Sequence, residues 1–355
     1  MNYYLAALCL ISCSLTCSAK GSENCDSIDF CSVVADVETN YAGFPTMVND
    51  ENRAAYEEMK RHLFAQVMQE KRDGSDAASE YVAWFKDHHL FTPFSDQYYP
   101  AIDYSGIDYN PQFVAQKVDN DTYLLRVPSF SWDEKNISLI KDGVSNYLDS
   151  GCENLIIDLR GNSGGADWAF EPLLNLVYTH PFVTDGVEIR ATRDIADHLR
   201  RAYVENGNRP AWAPAVADSI DTGRHEFVTV PGFDREIKLD TVYNHPRTVA
   251  VIVDGLTVSS AEQFIIFCRQ CSDKTTVYGR DNTTGAIDFG NLRHFNMPCS
   301  GLTVNVPTSR STRLARGEKI DGIGIEPDVR IELPLPSTLA DNVDEWVLFV
   351  AEKMR

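Results

Sequence analysis

Ser259 and Ser260 stand where the apolar, β-branched run Thr248 to Val253 passes through the turn signal Asp254-Gly255. Beyond it, Ala261, Phe264, Ile265 and Cys268 recur at helical spacing. A serine at such a junction sits at a helix N-terminus. There, free backbone N–H groups and the positive end of the helix dipole can stabilise the oxyanion formed when a hydroxyl attacks a carbonyl. The same residues also spell a capping box, Ser259-x-x-Glu262, which ties off a helix start without any chemistry. A second candidate is Asp158-Leu159-Arg160-Gly161-Asn162-Ser163-Gly164-Gly165, which follows the buried run Leu155 to Ile157. Adjacent glycines let the backbone turn with its N–H groups outward, as an anion or a developing oxyanion requires. A tight strand-to-helix connection with no ligand reads equally well. The loop matches neither G-x-G-x-x-G nor Gly-Lys-Ser/Thr, which speaks against dinucleotide and nucleoside triphosphate binding. Cys268-x-x-Cys271 has no second CxxC and no histidine pair at ligand spacing, and Cys268 falls on the apolar helix face. A metal site is therefore not expected.

The elements that must position these residues come in two textures. Residues 27 to 95 read as largely helical, with Tyr56, Met59, Leu63 and Val67 on one face and a break expected at Gly74 to Asp76. The second helix is expected to run through Tyr81, Val82, Trp84 and Phe85 to Asp87-His88-His89. Residues 91 to 118, rich in Pro, Tyr and Asp, read as loop. From Asp121 strands alternate with helices: Tyr123 to Val127, Glu134 to Leu148, Asn154 to Leu159, a helix after Gly165, Thr248 to Val253 and the serine helix. That alternation predicts the α/β class, a mostly parallel sheet covered by helices. Residues 184 to 246 interrupt it with a helix at Ile195 to Val204 and a strand at His225 to Val230. They read as an insertion, either a substrate-shaping lid or a packing elaboration. Strands are expected again at Thr275 to Tyr278, Leu302 to Pro307 and Val329 to Leu333, before a final amphipathic helix. The expected organisation is a signal segment at 1–19, a helical region at 20–119, an α/β core at 120–335 and a C-terminal helix at 336–355.

At 355 residues the chain can bury a large core, and its net charge of −20 argues against duplex nucleic acid or an anionic membrane surface as partner. Met1 to Ala19, with the apolar centre Leu5 to Leu10, has the pattern of an export signal and is too short for a membrane span. Two processing sites compete. Cys17-Ser18-Ala19 would release a chain starting at Lys20, whereas Leu10-Ile11-Ser12-Cys13 would leave a lipid on Cys13 as the sole tie to a membrane. The expected location is therefore periplasmic, secreted or lipoprotein-tethered. Beyond the signal lie Cys25, Cys31, Cys152, Cys268, Cys271 and Cys299. In an exported chain these permit disulfides, with Cys25–Cys31 and Cys271–Cys299 among the pairings to consider.

Taken together, these segments resemble a serine peptidase family. It includes the carboxy-terminal (tail-specific) processing proteases, the catalytic half of the tricorn protease and the repeats of interphotoreceptor retinoid-binding protein. The match runs from about Tyr41 to Asp328. Its motifs are, in order, Phe85-Lys86-Asp87-His88-His89, Asp158 to Gly165, Thr257 to Glu262, Gly279 to Asn291 and Gly324-Ile325-Glu326-Pro327-Asp328. The resemblance implies a crotonase/ClpP-like β/α superhelical core behind a helical N-terminal region. It also implies Ser259 as nucleophile, with the N–H groups of Ser260 and Gly164 as oxyanion hole. Tail-specific proteases carry a lysine base in a Thr-x-Gly-Lys context, which here reads Thr283-Thr284-Gly285-Ala286. The tricorn-like branch uses a histidine from the helical region instead, matching His89, and an orienting carboxylate matching Asp321. An imidazole suits the role, taking the hydroxyl proton and returning it to the leaving amine. Only about thirty residues separate His89 from Tyr123, too few for the peptide-binding PDZ module of many relatives. The expected function is an exported serine endopeptidase acting on peptide or unfolded protein, with no cofactor implied. The rival is a non-catalytic protein on the same scaffold that binds a peptide or a small apolar ligand.

Overall fold

Five of the expected core strands, those at Tyr123, Asn154, Thr248, Thr275 and Val329, join one six-stranded sheet in a computed structural model that describes residues 25–95, 104, 106–207, 210–223 and 225–355, whereas the strand expected at Leu302 to Pro307 lies in a second sheet. Met1 to Ala19, both processing sites and Cys13 lie outside the described residues. Among the described residues no helix is long and apolar enough to cross a membrane.

The sheet runs in the order Val329–Arg330, Thr275–Gly279, Thr248–Val253, Asn154–Asp158, Thr122–Arg126, Val114–Lys117. Every pairing in it is parallel except the last. Strands buried on both faces need apolar residues at every position, which is why Leu155-Ile156-Ile157 and Val249 to Val253 read as continuous runs. Leu155, Ile157, Val249 and Val251 pack with Phe264 and Ile265 of the helix Ser260–Cys271. Ile156, Ala250 and Ile252 face the other way, onto Trp346, Val347 and Val350 of the helix Glu345–Lys353. Register carries the consequence for function. Asp158 lies opposite Ile252, so the Asp158–Gly165 loop and the turn before Ser259 leave the sheet side by side at its C-terminal edge.

A second, antiparallel sheet joins Phe289–Asn296, Thr303–Ser311, Val187–Arg190 and Phe227–Thr229. The N-terminal helices Cys25–Asn40, Arg53–Gln69 and Gly74–Ala83 pack on it, with Phe30, Val33, Tyr56 and Tyr81 sharing a core with Met297, Val304 and Val306. The α/β class with a helical N-terminal region is thus what the chain adopts.

Several details depart from expectation. The helix break falls before Gly74, because Asp73 caps the second helix through Ser75 and Asp76. Gly74 is needed there because a Cβ would stand 2.2 Å from the Asp26 carbonyl oxygen. That helix ends at Ala83, so Phe85 to His89 form a turn. The supposed loop 91–118 contains Asp108–Tyr109 and Val114–Lys117 as strands. The strand Phe289–Asn296 was not expected because Gly290 and Asn291 follow its first residue and only two of its eight residues are buried. In the 184–246 segment, Val187–Arg190 pairs with Ser309–Ser311. The helices Arg193–Glu205 and Ala213–Thr222 pack round Ile195, Leu199, Val216 and Ile220. The second of these helices hides behind Pro210 and Pro214 in the sequence.

Candidate active site

The serine junction is held in a strained backbone. Past Val253, Asp254 Oδ1 accepts from Leu256 N at 3.0 Å, and the chain turns so sharply that Ser259 sits at φ 61°, ψ −124°. A positive φ is costly for a residue with a Cβ, and such strain persists where surrounding contacts enforce it. The main enforcer is Glu262. It is fully buried and accepts from Ser259 N (3.1 Å), Gly285 N (2.7 Å), Ala286 N (2.9 Å) and the Thr283 hydroxyl (2.5 Å). Burial raises its carboxyl, and these donors oppose the rise. The carboxylate side of the capping box is therefore present, and it also docks the segment around Ala286, where a lysine base was sought.

His89 reaches Ser259 from the other sheet. Lys86 turns the chain at φ 53°, Asp87 Oδ1 accepts from His89 N at 2.8 Å, and the fully buried Tyr41 hydroxyl donates to Asp87 Oδ2 at 2.7 Å. Burial raises the Asp87 carboxyl, while His89 and the Tyr41 hydrogen bond lower it. Beyond the turn, Phe91 exchanges two backbone hydrogen bonds with Asn305, of 3.2 and 2.8 Å. These ties place His89 Nε2 3.2 Å from Ser259 Oγ and His89 Nδ1 2.7 Å from the Phe289 carbonyl oxygen. A carbonyl only accepts, so Nδ1 carries a proton. In the neutral ring Nε2 then presents its lone pair to the serine hydroxyl, as a general base must. His88 is kept neutral instead, its pKa lowered to about 4 by burial and by the charge of His89.

Two expected site residues are placed differently. Asp321 is not a hydrogen-bond partner of His89, because the Phe289 carbonyl occupies Nδ1. Its Oδ1 accepts from Ile287 N and Asp288 N at 2.6 and 2.7 Å, and Asp288 Oδ2 returns the contact to Ile320 N and Asp321 N at 2.7 and 2.8 Å. Burial, Asp87 and Asp288 push the Asp321 carboxyl well above the usual carboxylate range. The second correction concerns the oxyanion loop. Gly164 lies against the nucleophile, but its N–H donates to Asn162 Oδ1 at 2.8 Å, closing an Asx turn that leaves it unavailable to an oxyanion. Gly165 is better turned. Phe130 bonds the Gly164 carbonyl and the Ala166 N–H on one side, while the Gly165 carbonyl faces the other and accepts from Ser260 Oγ at 3.0 Å. Among the described residues the Gly165 N–H has no acceptor, and Ser260 N lies at the first turn of its helix, where no intrahelical acceptor exists.

Sequence reasoning missed the Phe289 carbonyl, the Tyr41–Asp87 pair and Asn162. An Asx turn is legible wherever Asp or Asn precedes its target by two residues. Asp87-x-His89 and Asn162-x-Gly164 both carried that signal. The cysteine pairings also fail. Cys25 and Cys31 lie six residues apart in one helix, about 9 Å along its axis, beyond disulfide reach. Cys271 is buried beside Cys268 under the parallel sheet, whereas Cys299 lies at the first helix, its N–H on Asp29 Oδ1 at 2.7 Å. Burial raises both CxxC thiols, Cys271 to about 12, so neither offers a thiolate near neutral pH.

A sequence model described as Peptidase family S41 matches residues 121–331. No curated protein sequence matches. Among solved structures, mature CPAF complexed with lactacystin superposes with TM-score 0.59 at 13% identity, over 87% of this chain and 94% of that one. A CPAF mutant gives 0.60 at 12%, over 87% and 93%. A protein of Parabacteroides merdae gives 0.55 at 18%, over 87% and 90%. At these identities the likeness is one of fold.

Proposed function

We propose that this chain, which belongs to peptidase family S41 and is a serine peptidase, is an exported endopeptidase that hydrolyses peptide bonds through an acyl-enzyme on Ser259. The observation that carries the reading is the 3.2 Å approach of His89 Nε2 to Ser259 Oγ across 170 residues of chain. His89, its Nδ1 proton held by the Phe289 carbonyl, takes the hydroxyl proton as Oγ attacks the scissile carbonyl. The N–H groups of Ser260 and Gly165 receive the oxyanion. Nε2 then gives its proton to the leaving amine, and water, deprotonated by the same nitrogen, releases the acid. The substrate is an extended peptide or unfolded protein. Export rests on the sequence Met1 to Ala19 alone.

The test combines cleavage of denatured casein with labelling by a fluorophosphonate probe. Ser259→Ala should lose both. His89→Ala should lose on the order of a thousandfold in rate and most of the labelling, and both variants should stay folded. Cleavage by pure Ser259→Ala would refute the reading. Intact mass of the natural product tests export, with a chain starting at Lys20 or at lipidated Cys13 expected, and retention of Met1 refuting it.

A further inference from the structure

Asp254 follows the strand Thr248–Val253 and is buried at the head of the turn that leads to Ser259. Its Oδ1 accepts from Leu256 N at 3.0 Å, within that turn, and from Gly161 N at 3.1 Å, in the Asp158–Gly165 loop. The two loops that carry the Ser260 and Gly165 N–H groups therefore meet at one oxygen atom. Two more bonds cross between them, from Val258 N to the Asn162 carbonyl oxygen at 3.0 Å and from the Thr257 hydroxyl to the Leu159 carbonyl oxygen at 2.9 Å. Asp254 is also held from outside both loops. Its Oδ2 accepts from the Tyr109 hydroxyl, and among the described residues no other donor reaches that oxygen. Burial raises the Asp254 carboxyl, and the hydrogen bonds from Tyr109 and Gly161 oppose the rise.

Tyr109 is itself fixed on three sides. Its strand, Asp108–Tyr109, pairs with Thr338–Leu339, and the ring of Tyr104 meets its ring edge-on with centroids 4.9 Å apart. Gly161, at φ +69°, makes room for it, since a Cβ there would stand 2.7 Å from the Tyr109 hydroxyl oxygen. The ordinary role of such a pair would be mutual satisfaction of two buried polar groups. Here the other oxygen of the same carboxylate is the point on which both loops hang. We propose that Tyr109 and Asp254 are positioning residues of the oxyanion hole: the tyrosine fixes the carboxylate, and the carboxylate fixes the spacing of the Gly165 and Ser260 N–H groups. Without the Tyr109 hydroxyl, Oδ2 is buried with no donor, and the carboxyl turns to find one. Oδ1 then moves, and the loops lose their common anchor. A bound peptide carries no oxyanion until Ser259 attacks, so the loss falls on the transition state and spares binding.

This inference rests on the peptidase reading above, and its test separates the two. Cleavage of fluorescein-labelled denatured casein is followed for wild type, Tyr109→Phe, Asp254→Asn, Asp254→Ala and the double variant Tyr109→Phe/Asp254→Ala. The temperature is one at which unfolding curves show each protein fully folded. In Tyr109→Phe, kcat should fall about tenfold or more, the scale of a small misplacement of an oxyanion donor, with KM within about twofold of wild type. Asp254→Asn should lose less than Asp254→Ala, because its amide keeps an oxygen for the two N–H groups and can donate to the Tyr109 oxygen. In the Asp254→Ala background, Tyr109→Phe should cost nothing further, since the tyrosine acts through the carboxylate. A merely structural role would lower the melting temperature and leave kcat of the folded enzyme unchanged. That result in Tyr109→Phe would overturn the inference and leave the peptidase reading standing, as would an equal loss with and without Asp254. Should Asp254→Ala fail to fold, kcat and KM of Tyr109→Phe decide alone. No cleavage by wild type would refute the peptidase reading and the inference with it.

Discussion

At His89 the chemistry depends on two atoms that are not side-chain partners in the usual triad sense. The Phe289 carbonyl fixes the tautomer, and Asp87 holds the His89 backbone while Tyr41 holds Asp87. Asp87→Asn should weaken the acceptor that holds the His89 backbone, and kcat/KM should fall about tenfold as the ring loses its anchor. His88→Ala should retain more activity, because burial and the charge of His89 keep His88 neutral. Unchanged kcat/KM in Asp87→Asn would show that the buried carboxylate only fills space. Of these groups the nucleophile was legible, since a strand signal, a turn signal and helical spacing converge on Ser259. His89 was legible only by resemblance, because its turn is a local Asx motif whose partner lies 170 residues away. Asp321 was misread for the same reason. Its clamp with Asp288 fixes the chain just before Phe289, whose carbonyl meets the imidazole.

Elements meet at the nucleophile with almost no clearance. Gly164 has φ +75°, and a Cβ there would stand 2.6 Å from Ser259 Cβ and 2.8 Å from the Val258 carbonyl oxygen. Backbone cannot yield as a flexible side chain can, so Gly164→Ala must displace the loop or the serine. We expect a loss of at least about a hundredfold in kcat/KM, which a shift of roughly 1 Å brings about. Gly151→Ala is the control: φ is +72° but nothing lies within 4 Å, so it should lose about 1–2 kcal/mol of stability and keep its activity. Equal activity of the two variants would show that the close packing has no bearing on catalysis. The sequence exposed this region as glycine-rich after a strand and left its purpose open, because a tight connection and an anion loop use the same residues. What separates them is register. Asn154–Asp158 and Thr248–Val253 run parallel with Asp158 opposite Ile252, and no local pattern contains that pairing.

Across the whole molecule, the origin of that loop is tied to the far end of the chain by four buried charges. Arg126 and Arg160 each contact Asp158 at 2.7 Å, and they reach Asp344 at 2.9 and 2.7 Å, with every side chain at most 2% exposed. Asp344 also caps the last helix through Trp346 N at 3.0 Å, so the quartet joins the strands Thr122–Arg126 and Asn154–Asp158, the start of the Asp158–Gly165 loop and the C-terminal helix. Such a set does little for stability when complete, but removing one member strands the opposite charges without water. Asp158→Asn should thus lower unfolding free energy by about 3–5 kcal/mol at pH 7. The pH dependence gives a sharper test. The two arginines hold the Asp158 carboxyl at about 2 against burial, below its unfolded value of 3.8. A depressed carboxyl contributes stability that is complete above the unfolded pKa and is lost as pH falls through the folded one. The difference between wild type and Asp158→Asn should therefore stay constant from pH 7 to about 4.5. It should then shrink by about 2 kcal/mol on going to pH 2, as the protonated aspartate becomes as neutral as asparagine. Denaturant unfolding of both proteins at a series of pH values measures that difference directly, and a gap unchanged at pH 2 would mean that the arginines do not hold Asp158 ionised.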